Sequence, residues 1–339
     1  MLKSSHRRAV FALAAAAAAG LFLSACSSDS GSAGGPSGSG ATTLKVATIG
    51  LLSDGALQLG IQQGFFSDEG LEIETSVVAN PAAGLAAAQS GQVDLAYAPS
   101  IPVLNALSQS VPLKIVQAAD GYADGYADGD ADAADADKKD DSALYASATS
   151  GITSVEQLAG KTIAVPARKA QLEVTISAAL SDAGVDPASI NWVVLDFTSA
   201  AAALKAGQVD AAGLVTPFTD QAAADGATHV VSPGIHFFRE GAVGLWVAGA
   251  STVEGKSSAI AGFQRAIAKA NAFANEHPDD AVQAGIDYTK STLTVADATV
   301  PYWPTSVRVE DIQRVNDKLV ALGFLGAPVA LDGVIIPEP

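Results

Sequence analysis

Cysteine is almost absent: Cys26 is the only one in 339 residues, so no disulfide can form within the chain and no thiolate cluster can hold a metal. Histidine is nearly as scarce. Of His6, His229, His236 and His277, none has a second histidine or a cysteine four residues on, which excludes the usual helical metal motif. Positive charge is also short, with 19 Lys and Arg against 36 Asp and Glu and a formal net charge of −17. A field of that sign repels phosphate backbones and anionic headgroups, and it argues against nucleic acid as a partner. H-E-x-x-H and G-x-S-x-G do not occur in the folded region, so the local signatures of a secreted hydrolase are missing. Gly160-Lys161-Thr162 ends like a phosphate loop, but Val155 stands where its first glycine belongs and the triplet precedes a strand. The chain is expected to bind and not to catalyse, with no cofactor implied.

What is plentiful lies first at the N-terminus. Lys3, Arg7 and Arg8 precede an apolar run from Ala9 to Leu23, followed by Ser24-Ala25-Cys26. A positive start, a short apolar stretch and small residues describe an export signal, and the stretch is too short to favour a membrane span. Leu23-Ser24-Ala25-Cys26 resembles the lipobox of bacterial lipoproteins. That resemblance implies cleavage before Cys26, a diacylglycerol on its sulfur, and an extracytoplasmic protein anchored to the cell membrane, since two acyl chains suffice for stable anchoring. Residues 26–43 are almost all Ser, Gly, Ala, Asp, Pro and Thr, the composition of a flexible tether. The folded body is expected to start at Leu44.

Within that body one tetrapeptide occurs twice, as Gly91-Gln92-Val93-Asp94 and Gly207-Gln208-Val209-Asp210. Each copy follows an alanine-rich helical run and precedes a short apolar strand that ends at proline, Leu95 to Pro99 and Ala211 to Pro217. The glycine sits where a helix needs a left-handed residue to stop. The period is too long for a solenoid and suits two similar α/β lobes. In such lobes ligands gather beyond the carboxyl ends of the strands, where Ser100, Thr216 and Phe218 would lie.

The remaining candidates follow from the same rule. Leu44 to Ile49 alternates as a strand, and the loop after it carries Ser53 and Asp54, which either cap the next helix or line the cleft. Asp120 to Asp141 is an acidic low-complexity run with an aspartate every fourth residue, read as a solvated loop between the lobes. As a calcium loop aligned on Asp128 it fails, because Ala133 and Lys139 stand where Gly and Glu are required. Asp120 and Tyr122 at its start are cleft candidates. After the strand Ile163 to Val165 come Arg168, Lys169 and Gln171 at the start of a helix, a physically sound anion site, although solvated surface would also account for the two cations. Asn191 to Phe197 reads as a strand with Phe197 at its end, and Gly244 to Ala248 as a strand returning to the first lobe.

The order of these pieces carries a family resemblance. Gly64-Phe65-Phe66-Ser67-Asp68-Glu69-Gly70-Leu71, the first GQVD, Val111-Pro112-Leu113-Lys114-Ile115-Val116, the stretch Ile152 to Val165, and the second GQVD with Thr216-Pro217-Phe218 resemble the nitrate/sulfonate/taurine-type solute-binding proteins of ABC importers. The resemblance implies a periplasmic-binding-protein type II fold, with residues 44–120 and 240–339 in lobe I and 121–239 in lobe II. It also implies a monomeric receptor that closes on a small polar solute, anionic or zwitterionic, and delivers it to permease subunits in the membrane. Some relatives of this fold make a pyrimidine precursor, which keeps an enzyme as the alternative; an adhesion or signalling lipoprotein is a third reading.

Overall fold

The computed structural model describes residues 40–125 and 140–339. The expected signal, Cys26 after it and most of the acidic repeat lie outside them. In chain order the strands are β1 (Thr42–Thr48), β2 (Leu71–Val77), β3 (Leu95–Pro99), β4 (Leu113–Tyr122), β5 (Ser142–Ala146), β6 (Thr162–Val165), β7 (Asn191–Val194), β8 (Ala211–Val215), β9 (Thr228–Val231) and β10 (Gly241–Gly249). They form two five-stranded sheets, ordered β2-β1-β3-β10-β4 and β7-β6-β8-β5-β9.

The two sheets share one plan. In each, the strand in the fourth position runs antiparallel to its neighbours, β10 against β3 and β4 and β5 against β8 and β9. The pairs at the other end, β1 with β2 and β3, and β6 with β7 and β8, are parallel. The chain leaves the first sheet after β4 and returns as β10, so two crossings join two lobes. This is the type II periplasmic-binding-protein architecture.

Local sequence explains the elements. β8 and β10 are buried along their whole length, as central strands covered by helices on both faces must be, and they read as continuous apolar runs. The edge strand β2 alternates instead. The helix Pro81–Ser90 before the first GQVD is capped by Asn80, whose side chain accepts the Ala83 N–H at 3.0 Å. The helix Phe197–Lys205 before the second is capped by Asp196, which accepts the Ser199 N–H at 2.8 Å. That cap ends the preceding strand at Val194, so Phe197 opens a helix instead of closing a strand. Gly91 and Gly207 follow these helices at φ 74° and 66°, a conformation that costs only glycine nothing.

Trp246 of β10 is core, 2 % exposed, and meets Tyr97 and Phe263 edge-on at 6.0 and 5.9 Å between centroids. Three helices near the C-terminus, Ser257–Glu276, Pro278–Thr289 and Val309–Ala321, pack on the first lobe. The free edge of β4 is covered by the C-terminal tail, where Ile115 N–H donates to Val334 O and Ile336 N–H to Ile115 O, both at 2.9 Å. An edge so paired cannot recruit another strand. Among the described residues no helix is long and apolar enough to cross a membrane.

Candidate functional site

Parallel strands of both sheets end at one small enclosed cavity. Its walls come from Ile49 and Leu51 after β1, Pro99 and Asp120 at the ends of β3 and β4, Pro166 and Ala167 after β6, Phe197 after β7 and Val215 of β8. Asp141 joins them because β5 runs antiparallel, which brings its N-terminal end to the same edge. The enclosed space is about 30 Å³, room for on the order of one or two waters. Contacts across the lobes hold it shut. Leu52 N–H donates to Thr216 O at 3.3 Å, Asn105 Nδ2 to Lys169 O at 2.7 Å, and Thr299 Oγ1 to Asp220 Oδ1 at 2.9 Å.

Carboxylates dominate the floor. Asp120, 3 % exposed, accepts from Ser53 Oγ at 2.6 Å, Tyr97 Oη at 2.9 Å and Gly244 N–H at 2.9 Å. Burial nevertheless raises its pKa above the ordinary carboxylate value. Asp54 lies on the adjoining loop and accepts the Leu51 N–H at 2.9 Å. Burial, opposed by that bond and reinforced by the charge of Asp120, pushes its pKa up to about 7. Asp141 keeps partial exposure and lines the cavity. Its pKa lies well above the usual range, from burial first and then from the charges of Asp120 and Asp140. Like charges packed this closely cannot all ionise freely, so protons or a cation must share the site.

Asp140 is the joint at the first crossing. It accepts from Tyr122 Oη at 2.5 Å, Ser142 N and Oγ at 2.9 and 2.8 Å, and Ile235 N–H at 2.9 Å. Strand β4, strand β5 and the segment leading to β10 are thereby tied through one buried carboxylate.

The structure distributes the residues read from the sequence unevenly. Asp120, Gln171 and Phe197 line the cavity. Ser53 and Asp54 are buried beside it, and neither caps the helix Gly55–Gln62, whose start has no side-chain cap. Thr216 and Ser100 are fully buried with hydroxyls that have no hydrogen-bond partner among the described residues. Phe218 stacks on Phe197 at 5.4 Å. Tyr122 serves the crossing through Asp140.

Arg168 and Lys169 lie elsewhere. Both line an open groove of about 530 Å³ outside the cavity, with Asn105 and Phe324. Arg168 is engaged by Glu173, Nε to Oε2 at 2.8 Å and Nη2 to Oε1 at 3.0 Å, and its side chain is 52 % exposed. Glu173 also accepts the Lys169 N–H at 2.5 Å. The start of the helix Gln171–Asp182 therefore has its anion supplied from its own first turn. No cavity-lining residue carries a positive charge.

Asp140 and Asp141 end the run expected to be a solvated loop, yet Asp140 is buried and Asp141 lines the cavity; Tyr97 is not among the sequence candidates. The low-complexity run masks both aspartates, although Ala143-Leu144-Tyr145-Ala146 right after them signals a buried strand and hence a strand end at the cleft. Tyr97 looks like one more apolar strand residue.

A family model described as NMT1/THI5 like matches residues 56–119 and 137–281, more than half of the chain. The chain belongs to the NMT1/THI5-like family. Comparison with curated proteins found no match. Among solved structures this family member is similar to the alkanesulfonate-binding protein SsuA of Xanthomonas axonopodis pv. citri bound to MOPS, with TM-score 0.68, 16 % identity, and 87 % of this chain and 98 % of that one covered. It is also similar to the periplasmic nitrate-binding protein NrtA of Synechocystis PCC 6803, at TM-score 0.69, 13 % identity and coverages of 87 % and 86 %. A third likeness is to the ligand-binding component of an ABC-type import system of Staphylococcus aureus with zinc bound, at 0.69, 12 %, 87 % and 97 %. At these identities the likeness is one of fold. Three or more His, Cys, Asp or Glu arranged to hold a metal do not occur among the described residues.

Proposed function

We propose that this protein is the lipid-anchored, extracytoplasmic receptor of an ABC importer, which captures a small polar solute between its lobes and delivers it to permease subunits. The observation that carries the reading is the enclosed cavity walled by both lobes, with Asp120 from one and Asp141 and Gln171 from the other. A space that exists only when the lobes meet couples occupancy to closure, and closure is what a permease reads. The fold shared with sulfonate- and nitrate-binding proteins supports the same reading. Anchoring at Cys26 rests on the residues around it, and the Ser-, Gly- and Ala-rich stretch that follows has the composition of a tether.

The test is native mass spectrometry of protein purified without added solute, followed by thermal-shift measurement with whatever is found. A receptor is stabilised by that compound at micromolar concentration and returns it unchanged. An enzyme on the same fold is the second reading, favoured by buried carboxylates whose raised pKa values suit proton transfer. Consumption of the compound would decide for it.

A further inference from the structure

We propose that the solute carries a protonated amine, which seats between Asp120 and Asp141, rather than a sulfonate or nitrate anion. This rests on the receptor reading and names the class of its solute.

Three observations point there. First, the residues that line the cavity include carboxylates and no cation: Asp120 and Asp141 line it, Asp54 stands behind it, and Arg168 is held by Glu173 in the outer groove. An anion placed in that cavity would add its charge to three carboxyl groups, two of them buried, with no donor of opposite sign. A cation relieves the repulsion among them. Second, the two carboxylates reach the cavity from different lobes, Asp120 near the end of β4 and Asp141 just before β5, so an ammonium between them, with three N–H donors, ties one lobe to the other. Third, apart from Gln171 the rest of the wall is apolar or aromatic, with Tyr97, Phe197, Leu51 and prolines 81, 99, 102 and 166. Such a wall suits a hydrocarbon body and adds ring faces for a cation. A body larger than a few atoms requires the lobes to part and close again around it, because the present space is about 30 Å³.

The experiment compares thermal shifts and calorimetric affinities for methylammonium, n-butylammonium and benzylammonium with those for taurine, methanesulfonate and nitrate. At least one amine is expected to stabilise the protein. Asp141→Asn should weaken that binding tenfold or more while the solute-free protein stays folded, and Arg168→Ala should leave it within twofold. Stabilisation by methanesulfonate or nitrate but by no amine, or by none of the six, overturns the amine assignment; so does an amine bound equally well by Asp141→Asn. Taurine supports the assignment if its binding is lost in Asp141→Asn and overturns it if lost only in Arg168→Ala. The receptor reading fails separately, if a bound amine is chemically consumed.

Discussion

Asp94 and Asp210 make the same bond in the two lobes. Asp94 Oδ2 accepts the Lys45 N–H of β1 at 3.0 Å, and Asp210 Oδ2 accepts the Thr162 N–H of β6 at 2.8 Å. Each also returns its own N–H to the carbonyl of that residue, at 2.8 and 3.0 Å. The last residue of each GQVD thus pins a parallel strand of its lobe, β1 at Lys45 and β6 at Thr162. Asp94, 8 % exposed, is further paired with Lys256 Nζ at 2.7 Å. Asp94→Ala is expected to cost about 2–3 kcal/mol and Asp210→Ala about 1–2 kcal/mol, as for hydrogen bonds to charged groups at decreasing burial. Lys256, 42 % exposed, should cost under about 1 kcal/mol on truncation. Urea unfolding of the three variants checks the order.

Asp54 predicts a pH dependence of unusual sign. Its pKa rises from the ordinary 3.8 to about 7 on folding, chiefly through burial, so between those values the native state holds a proton that the unfolded chain gives up. Stability from this group is therefore present at low pH and falls as pH climbs from about 4 to about 7, by up to about 4 kcal/mol. Asp54→Asn keeps an oxygen to accept the Leu51 N–H and removes the titration. The variant should match the parent near pH 4.5 and melt several degrees higher at pH 8. A variant less stable than the parent at pH 8 would show the carboxylate to be stabilising as an anion.

Much of this fold was legible because its signals are local. The GQVD copies, the glycine stops and the apolar runs of β3, β8 and β10 each declare themselves within ten residues, and two matching sets imply two lobes. The site was harder. Ser53, Asp54, Asp120, Gln171 and Phe197 could be placed at or beside the cleft from their positions after strands. What Arg168 does depends on Glu173, an acidic residue in the first turn of the next helix that competes with any incoming anion. Asp141 was hidden by composition, since one more aspartate in an acidic run looks solvated until the strand it begins is recognised. Contacts across the lobes, such as Leu52 with Thr216, join residues with no shared local pattern.

Asp220 and Thr299 form a latch whose removal should open the cleft. Asp220 accepts Thr299 Oγ1 at 2.9 Å and its N–H at 3.3 Å, linking the helix Phe218–Ala224 of the second lobe to the segment that follows the helix Pro278–Thr289. Thr299→Ala removes one of these bonds, worth about 1 kcal/mol, and leaves a partly buried carboxyl less well served. In small-angle scattering the variant should have a larger radius of gyration than the parent, and solute affinity should fall about threefold to tenfold. An unchanged scattering curve would mean that Leu52 and Asn105 suffice to hold the lobes together.

Gly244 is the position where a single methyl group should separate fold from site. Its N–H donates to Asp120 Oδ1, and a Cβ there would lie 2.2 Å from that same oxygen and 2.5 Å from Cε2 of Tyr97. Neither neighbour can yield cheaply, because Asp120 is held by Ser53 and Tyr97 together and Tyr97 is packed against Trp246. Gly244→Ala is expected to cost about 1–3 kcal/mol through overpacking and to abolish the stabilisation given by a bound amine, since both acceptors on that side of the cavity must move. Gly326→Ala is the control. It lies in the outer groove, where an added Cβ meets nothing within 4 Å, and it should leave the melting temperature and the amine response unchanged. If Gly326→Ala were the variant that lost the response, the solute would belong in the outer groove with Arg168 instead of the cavity with Asp120.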